Sequence, residues 1–262
     1  MEAGLAHPIY DPIRACLGKL QDFSHASLNR LAQESGLATE SGKPVRFVPP
    51  SAADPYYEVH LYETGRVQTR PGNRHDLFNA LAWLAFPKTK ARINAMHAAE
   101  IPREGGRRGR LRDMLTIFDE GGAIVAGAPG IEALVRAARW RELFVERHRD
   151  FRIAVLGHAV MEQALDPRPG ITCKVTFADP RHDLDAQAAQ ALASIPSPRE
   201  LPPLPVFGYP GWFPGSGEPG FYEDERHFRP LQRGKMLSGV GRAAAVAQAA
   251  EESPGSRERD AG

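Results

Sequence analysis

A proline inside an apolar-periodic run does most to limit how this chain folds. Residues 70–100 read RPGNRHDLFNALAWLAFPKTKARINAMHAAE. Leu77, Phe78, Leu81, Leu84 and Ala85 recur at the spacing of one broad helical face. Pro87 interrupts that face because a proline has no N–H for the helix ladder. A helical pattern resumes over 88–100, so the stretch predicts two consecutive helices. Asn73 is placed to cap the first, with Asp76 at the N3 position of a capping box.

Around this pair the periodicity changes several times. Pro12 begins a helical pattern carried by Ile13, Leu17 and Leu20, and a second helix starts at Ser24 or Ser27 and ends at Gly36. Residues 45–48 are short, apolar and bounded by prolines. Residues 57–62 and 66–69, with Thr64-Gly65 between them, read as a β-hairpin. Residues 115–118 and 123–126, separated by Asp119-Glu120-Gly121-Gly122, read as a second hairpin. Helices are expected over 131–138, 140–148, 158–165 and 183–194, and strands over 151–156 and 171–177. Residues 196–220 are rich in Pro and Gly yet hold Leu204, Phe207, Tyr209, Trp212 and Phe213, which predicts an ordered, irregular wrap rather than a linker.

No βαβ rhythm, repeat or Gly-rich phosphate loop is visible. The expected fold is α+β: a single domain over 1–230, helices packed on short antiparallel strands and hairpins, with a loop-rich C-terminal third. Residues 231–262 are expected to form a partly disordered tail.

Composition narrows the function classes. A net charge of +1 argues against a surface built to neutralise nucleic acid or anionic lipid. Of the 33 basic residues 27 are Arg, a bias that a GC-rich genome produces unaided, so the Arg-rich stretch 103–112 reads first as a solvated loop. The longest apolar run, 80–86, is far too short for a membrane span. The first residues show no secretory signal, and Cys16 and Cys173 suggest no disulfide framework, so a cytoplasmic location is expected. Neither cysteine has a local basic partner to activate it, and no G-x-S-x-G motif is present.

Three groupings carry the candidate chemistry. His75, Asp76 and Asn79 share the start of one helix, with His97 on the next helix able to fold back toward them. A His, a carboxylate and an amide together orient a water or hold a metal; capping and dipole complementarity explain Asp76 equally well. His158 and Glu162 form an i,i+4 pair in which the carboxylate orients the imidazole or shares a metal with it. Arg112, Asp113 and Asp119 are candidates for ligand binding, with Asp119 and Glu120 alternatively plain turn residues. Trp212 is the aromatic candidate in the C-terminal segment.

Four blocks, RHDLFNALAWLAFPKTKARIN, RDMLTIFDEGGAIV, LGHAVMEQALDPRPG and LPVFGYPGWFPG followed by FYEDERHFRP, resemble in that order the proteobacterial family known as domain of unknown function 3025. The resemblance covers about 12–230 and implies a bacterial protein. It supplies no activity, cofactor or catalytic residue to transfer. Two readings follow from the residues themselves. One is an enzyme, a metal-assisted hydrolase using His75 and His158 with Asp113, Asp119 or Glu162 in support; its metal and cofactor are not specified by the sequence. The other is a non-catalytic ligand- or protein-binding domain that uses an exposed aromatic patch at Tyr209, Trp212 and Phe213. The enzyme is preferred because both histidines stand at helix starts, where polar groups face a cleft. The partner is then an unspecified ligand, with neither membrane nor nucleic acid expected.

Overall fold

A computed structural model describes residues 5–51 and 56–230; the expected tail lies outside them. The first two helices are α1 (Asp11–Leu17) and α2 (His25–Glu34), the second capped by Ser24, whose side chain accepts from the Ser27 amide. Strand β1 (Arg46–Val48) is pinned by Asn29 of α2. The Asn29 amide donates to the Phe47 carbonyl at 2.9 Å and accepts from the Phe47 N–H at 2.8 Å. This pair of bonds occupies backbone groups that would otherwise be left open on a short strand.

The first expected hairpin does not form. Residues 57–64 are helix α3 (Tyr57–Thr64), and only β2 (Arg66–Gln68) is extended, pairing in parallel with β1. Thr64-Gly65 is a helix C-terminus instead of a hairpin turn. Gly65 takes φ 74°, the left-handed conformation that closes many helices, and the Pro44 backbone leaves no room there for a Cβ. The partial alternation in 57–62 misled because β-branched and aromatic residues fit a half-buried helix as well as a strand.

Helices α4 (Arg74–Ala85) and α5 (Pro87–Glu100) stand where the Pro87 break puts them, and Asn73 caps α4 by accepting from the Asp76 amide at 2.9 Å. The second expected hairpin is also replaced. Helix α6 (Arg110–Gly121) runs through 115–118, and β3 (Gly122–Gly127) follows it directly. Met114, Leu115 and Phe118 are its buried face, at i, i+1 and i+4, a helical spacing that begins upstream of the segment read as a strand. Gly121-Gly122 is thus a helix-to-strand joint. The Phe118 carbonyl and ring lie where a side chain at Gly122 would stand.

Strand β3 is central in a four-stranded sheet of order β4-β3-β5-β6. Its partners are β4 (Phe151–Val155), antiparallel, and β5 (Thr172–Ala178), parallel; β6 (Pro203–Pro205) closes the far edge antiparallel to β5. The sheet is therefore mixed, where antiparallel pairing alone was expected. Five of the six β3 residues are buried, as a strand covered on both faces requires. Helices α7 (Ile131–Arg136), α8 (His158–Gln163) and α9 (Leu184–Leu192) complete the set. A single π-helical turn (Glu142–Glu146) replaces most of the helix expected over 140–148.

The described residues up to Pro230 form a single α+β unit. Its main core gathers the sheet, Phe78 and Leu81 of α4 and Ile93 of α5; a smaller one holds Leu28, Phe47, Leu61, Val67, Trp83 and Ala91. Helices α4 and α5 contribute to both cores, so polar residues on their remaining faces are carried into the interior. The Pro/Gly-rich segment is ordered: Phe207 and Trp212 are buried, and the Tyr222 hydroxyl donates to the Gly208 carbonyl at 2.8 Å. Both cysteines are free thiols, and no helix among the described residues is long and apolar enough to cross a membrane.

Candidate functional site

The polar interior is built from five helices. Along α5, Lys90, Asn94 and His97 recur at i, i+4 and i+7, a single stripe, and all three are buried. A stripe at that spacing on a core helix is ordinarily apolar. Here it meets Asp119 and Arg112 of α6, Glu58 of α3 and Asn79 of α4.

Lys90 is the hub. Its ammonium donates to Asn79 Oδ1 at 2.8 Å and to Asp119 Oδ1, and lies 5.6 Å from the centre of the Trp83 ring. A buried ammonium keeps its charge only when paired in this way. Burial by itself would raise the Asp119 carboxyl. The Lys90 ammonium, with His158 beside it, outweighs that cost and holds Asp119 below its ordinary range. The Asp119 side chain keeps 21% of its surface accessible, so this anion is reached from outside.

From Asp119 a chain of side chains leads outward. His158 Nδ1 lies 3.7 Å from Asp119 Oδ2 and has no hydrogen-bond partner. On the other side of that ring, His158 Nε2 lies 3.1 Å from His75 Nε2, the two rings meeting edge to face. His75 Nδ1 then stands 3.1 Å from Glu162 Oε2, and both of those side chains are more than a third exposed. The carboxylate oxygen can only accept, so His75 Nδ1 carries a hydrogen and, in the neutral ring, Nε2 is bare. Which ring donates between the two Nε2 atoms, and with it whether His158 Nδ1 carries a hydrogen, is set by the tautomer. Burial drives the His158 pKa down to about 4, so this ring is neutral at pH 7.

Gly157 sets α8 in place. A Cβ there would come within 2.6 Å of Glu120 O, Gly121 Cα and Gly122 N, so the start of α8 rests against the helix-to-strand joint. That contact brings His158 beside Asp119.

Two further partners flank the cluster. Asn94 Nδ2 donates to the Glu58 carbonyl at 2.8 Å and to Glu58 Oε2 at 2.7 Å. His97 Nδ1 accepts from Arg112 Nε at 3.3 Å, while the same guanidinium pairs with Glu104 at 2.8 Å; burial lowers the His97 pKa to about 4.

The sequence candidates divide accordingly. His75, His158, Glu162 and Asp119 are brought into one chain, Asn79 joins it through Lys90, and Arg112 borders it through His97. Asp76 turns away. It takes Arg70 Nε at 2.8 Å and the Arg70 amide at 2.7 Å, closing the turn before α4. Asp113 pairs with Arg108 at the surface, and Trp212 packs against His7 and Tyr209 in the C-terminal segment. Asp119 is not a turn residue; it ends a helix. Sequence reasoning missed Lys90, Asn94 and Glu58. The signal for the first two was their i,i+4 spacing; Glu58 was hidden by the strand reading of its helix. Among the described residues no group of three or more His, Cys, Asp or Glu side chains is arranged to hold a metal ion.

Fold and cluster together define an α+β domain with a charged, partly open polar centre where helices meet. The chain belongs to the family described as Protein of unknown function (DUF3025), whose model matches residues 45–232, a span that includes every member of that centre. No curated protein and no solved structure matches it.

Proposed function

We propose that this chain is an enzyme, a hydrolase working by general acid–base chemistry with Asp119 as its base. The observation that carries the reading is the series Asp119–His158–His75–Glu162, in which 3.1 Å contacts join His158, His75 and Glu162 and 3.7 Å separates His158 from the lysine-held Asp119 anion. A structural ion pair needs only Lys90 and Asp119. Two imidazoles in line, backed by a second carboxylate, are what proton export requires.

In this reading Asp119 removes a proton from an attacking water. With His158 as the Nε2–H tautomer, the proton crosses from Asp119 to His158 Nδ1, the Nε2 hydrogen of His158 passes to His75 Nε2, and the Nδ1 hydrogen of His75 passes to Glu162 and solvent. Each ring gives up one hydrogen as it gains another, so no net charge stays in the interior. Asp119 is the catalytic residue; the histidines and Glu162 act through it. The site does this work with its own side chains, and no metal ligand set is invoked. The binding alternative called for an exposed aromatic patch, but Trp212 is 8% exposed and Tyr209 and Phe213 are half-buried.

The test is turnover of chromogenic esters, phosphodiesters and glycosides by the purified chain. Asp119→Asn is expected to abolish cleavage of whichever class is accepted. His75→Gln and Glu162→Gln are expected to slow it by 10- to 100-fold and to alter its pH profile with the melting temperature unchanged. Equal rates for the parent and Asp119→Asn on every class would overturn the reading.

A further inference from the structure

We propose that the cavity between the starts of α2 and α4 binds a small monoanion with an apolar body, an aromatic or branched-chain carboxylate. The site lies apart from the proton path and is independent of the hydrolase reading: none of Asp119, His158, His75 and Glu162 lines it.

Size and walls set the body of the ligand. The cavity has a volume of about 210 Å3. An apolar cavity of about 150 Å3 holds benzene, and drug-sized ligands take roughly 300–1,000 Å3, so this one suits a single ring or a short branched chain. Its apolar walls come from Phe23, Leu28, Pro71 and Leu77. Leu28 is 1% exposed and belongs to the smaller core, whereas Phe23 leaves 43% of its surface to solvent. A ring left in water at the rim of an apolar cavity gains burial from a ligand's apolar body. The walls stand without a ligand: the Thr69 N–H donates to the Val48 carbonyl at 2.8 Å and the Asn73 N–H to the Arg70 carbonyl at 3.2 Å. Binding therefore carries little ordering cost.

Charge sets the head. His25, Arg70 and Arg74 line the cavity, and no carboxylate does. Two of the three are already engaged. His25 Nε2 donates to the Thr69 carbonyl at 2.8 Å, which fastens the start of α2 to the turn before α4. Arg70 gives Nε and Nη2 to Asp76, so its charge is matched. Asp22, next to the cavity in sequence, accepts from the Ser24 and Ser27 hydroxyls, both at 2.6 Å. Arg74 is exposed and has neither an ion pair nor a hydrogen bond among the described residues. Its planar fork matches a carboxylate. One unmatched guanidinium beside apolar walls suits a monoanion; a phosphate dianion would shed water onto Leu28 and Leu77 with too few donors to replace it.

The test is an amide NMR titration of the nitrogen-15-labelled full chain with benzoate, phenylacetate and 3-methylbutanoate. Benzamide, acetate and inorganic phosphate are the controls. At least one of the three acids is expected to reach half-saturation at about 1 mM or below, with the Gly72 and Arg74 signals moving most. Benzamide keeps the ring without the charge and acetate the charge without the body, so each should bind about 10-fold more weakly or less. Arg74→Gln should weaken the acid by about 5-fold or more and leave benzamide unchanged. Phe23→Ser should weaken the ring-bearing acids about 3-fold or more. Both side chains are exposed, so neither variant should lower the melting temperature. Saturation by none of the acids, equal binding of benzoate and benzamide, tighter binding of phosphate, or shifts gathered on α8 instead of Gly72 would each overturn the assignment. So would an Arg74→Gln chain that binds the acid as the parent does. Failure of Asp119 as a base leaves every one of these titrations unaffected.

Discussion

Replacing Lys90 by methionine removes the cation of the cluster and keeps most of its volume. Lys90 is 3% exposed and holds both Asn79 and Asp119, so the substitution strands a carboxylate and an amide oxygen in the interior. Breaking a fully buried pair costs roughly 3–5 kcal/mol. Asp119 retains 21% of its side-chain surface, which lets water repay part of this and sets the expectation near the lower bound, about 3 kcal/mol at pH 7. For a domain of this size that is a fall of roughly 6–12 °C in melting temperature. The sign with pH discriminates further. In the parent, the depressed Asp119 pKa contributes stability above the unfolded carboxyl value that is lost as pH falls through the folded one. In Lys90→Met the main opposition to burial is gone and the folded pKa rises above the unfolded one, so the variant loses stability as pH rises between the two. The gap between the two proteins should therefore be widest near pH 7 and shrink toward pH 4. Urea melts at pH 4, 5, 6 and 7 measure it. A gap below about 1 kcal/mol, or one constant with pH, would mean that Lys90 and Asp119 are not a coupled interior pair.

Two other outcomes are expected. His97 and His158 are both buried and both pulled to a pKa of about 4, so the unfolded chain takes up protons first; stability is full above about pH 6.5 and falls as pH drops toward 4, by up to about 3 kcal/mol for each ring. Melts of the parent against His97→Gln and His158→Gln check this, and each variant should flatten part of the slope. Gly157→Ala drives a Cβ into three backbone atoms at 2.6 Å, none of which is a side chain that can rotate away. A loss of about 1–3 kcal/mol is expected, together with a shift of the His158 ring proton signals as α8 moves off the joint; unchanged ring signals would show that Gly157 does not position this histidine.

What the sequence made legible follows from the range of the forces involved. Pro87, Asn73, Ser24 and the Asp183 cap of α9 act on their own neighbours, and each stands where local rules put it. The two hairpins failed for a different reason. Thr64-Gly65 and Gly121-Gly122 do mark changes of direction, but a glycine serves a helix end, a joint or a turn equally; the tertiary contact with Pro44 decides at Gly65, and the last turn of α6, through Phe118, at Gly122. The site was half legible. Spacing put His158 and Glu162 on one helix and singled out His75 at a helix start, but the expected His158–Glu162 pair does not form: Glu162 meets His75 instead. Their assembly with Asp119 depends on how α8 meets α4 and α6, which no local pattern encodes.

The polar stripe on α5 is the part of the molecule that folding alone does not explain. Leucines at positions 90, 94 and 97 would join the two cores that α4 and α5 already serve and would bury no charge. Replacing buried polar networks by packed hydrophobes is often neutral or stabilising. This helix instead carries Lys90, Asn94 and His97, with an amide oxygen on Asn94 that no other group satisfies. Beside Asp119, His158 also keeps a ring nitrogen without a hydrogen-bond partner. A buried charged stripe means that the fold carries a cost where the Asp119 anion meets the His158, His75 and Glu162 path to the surface. A chain selected for stability alone has no use for that arrangement; a chain that moves a proton has.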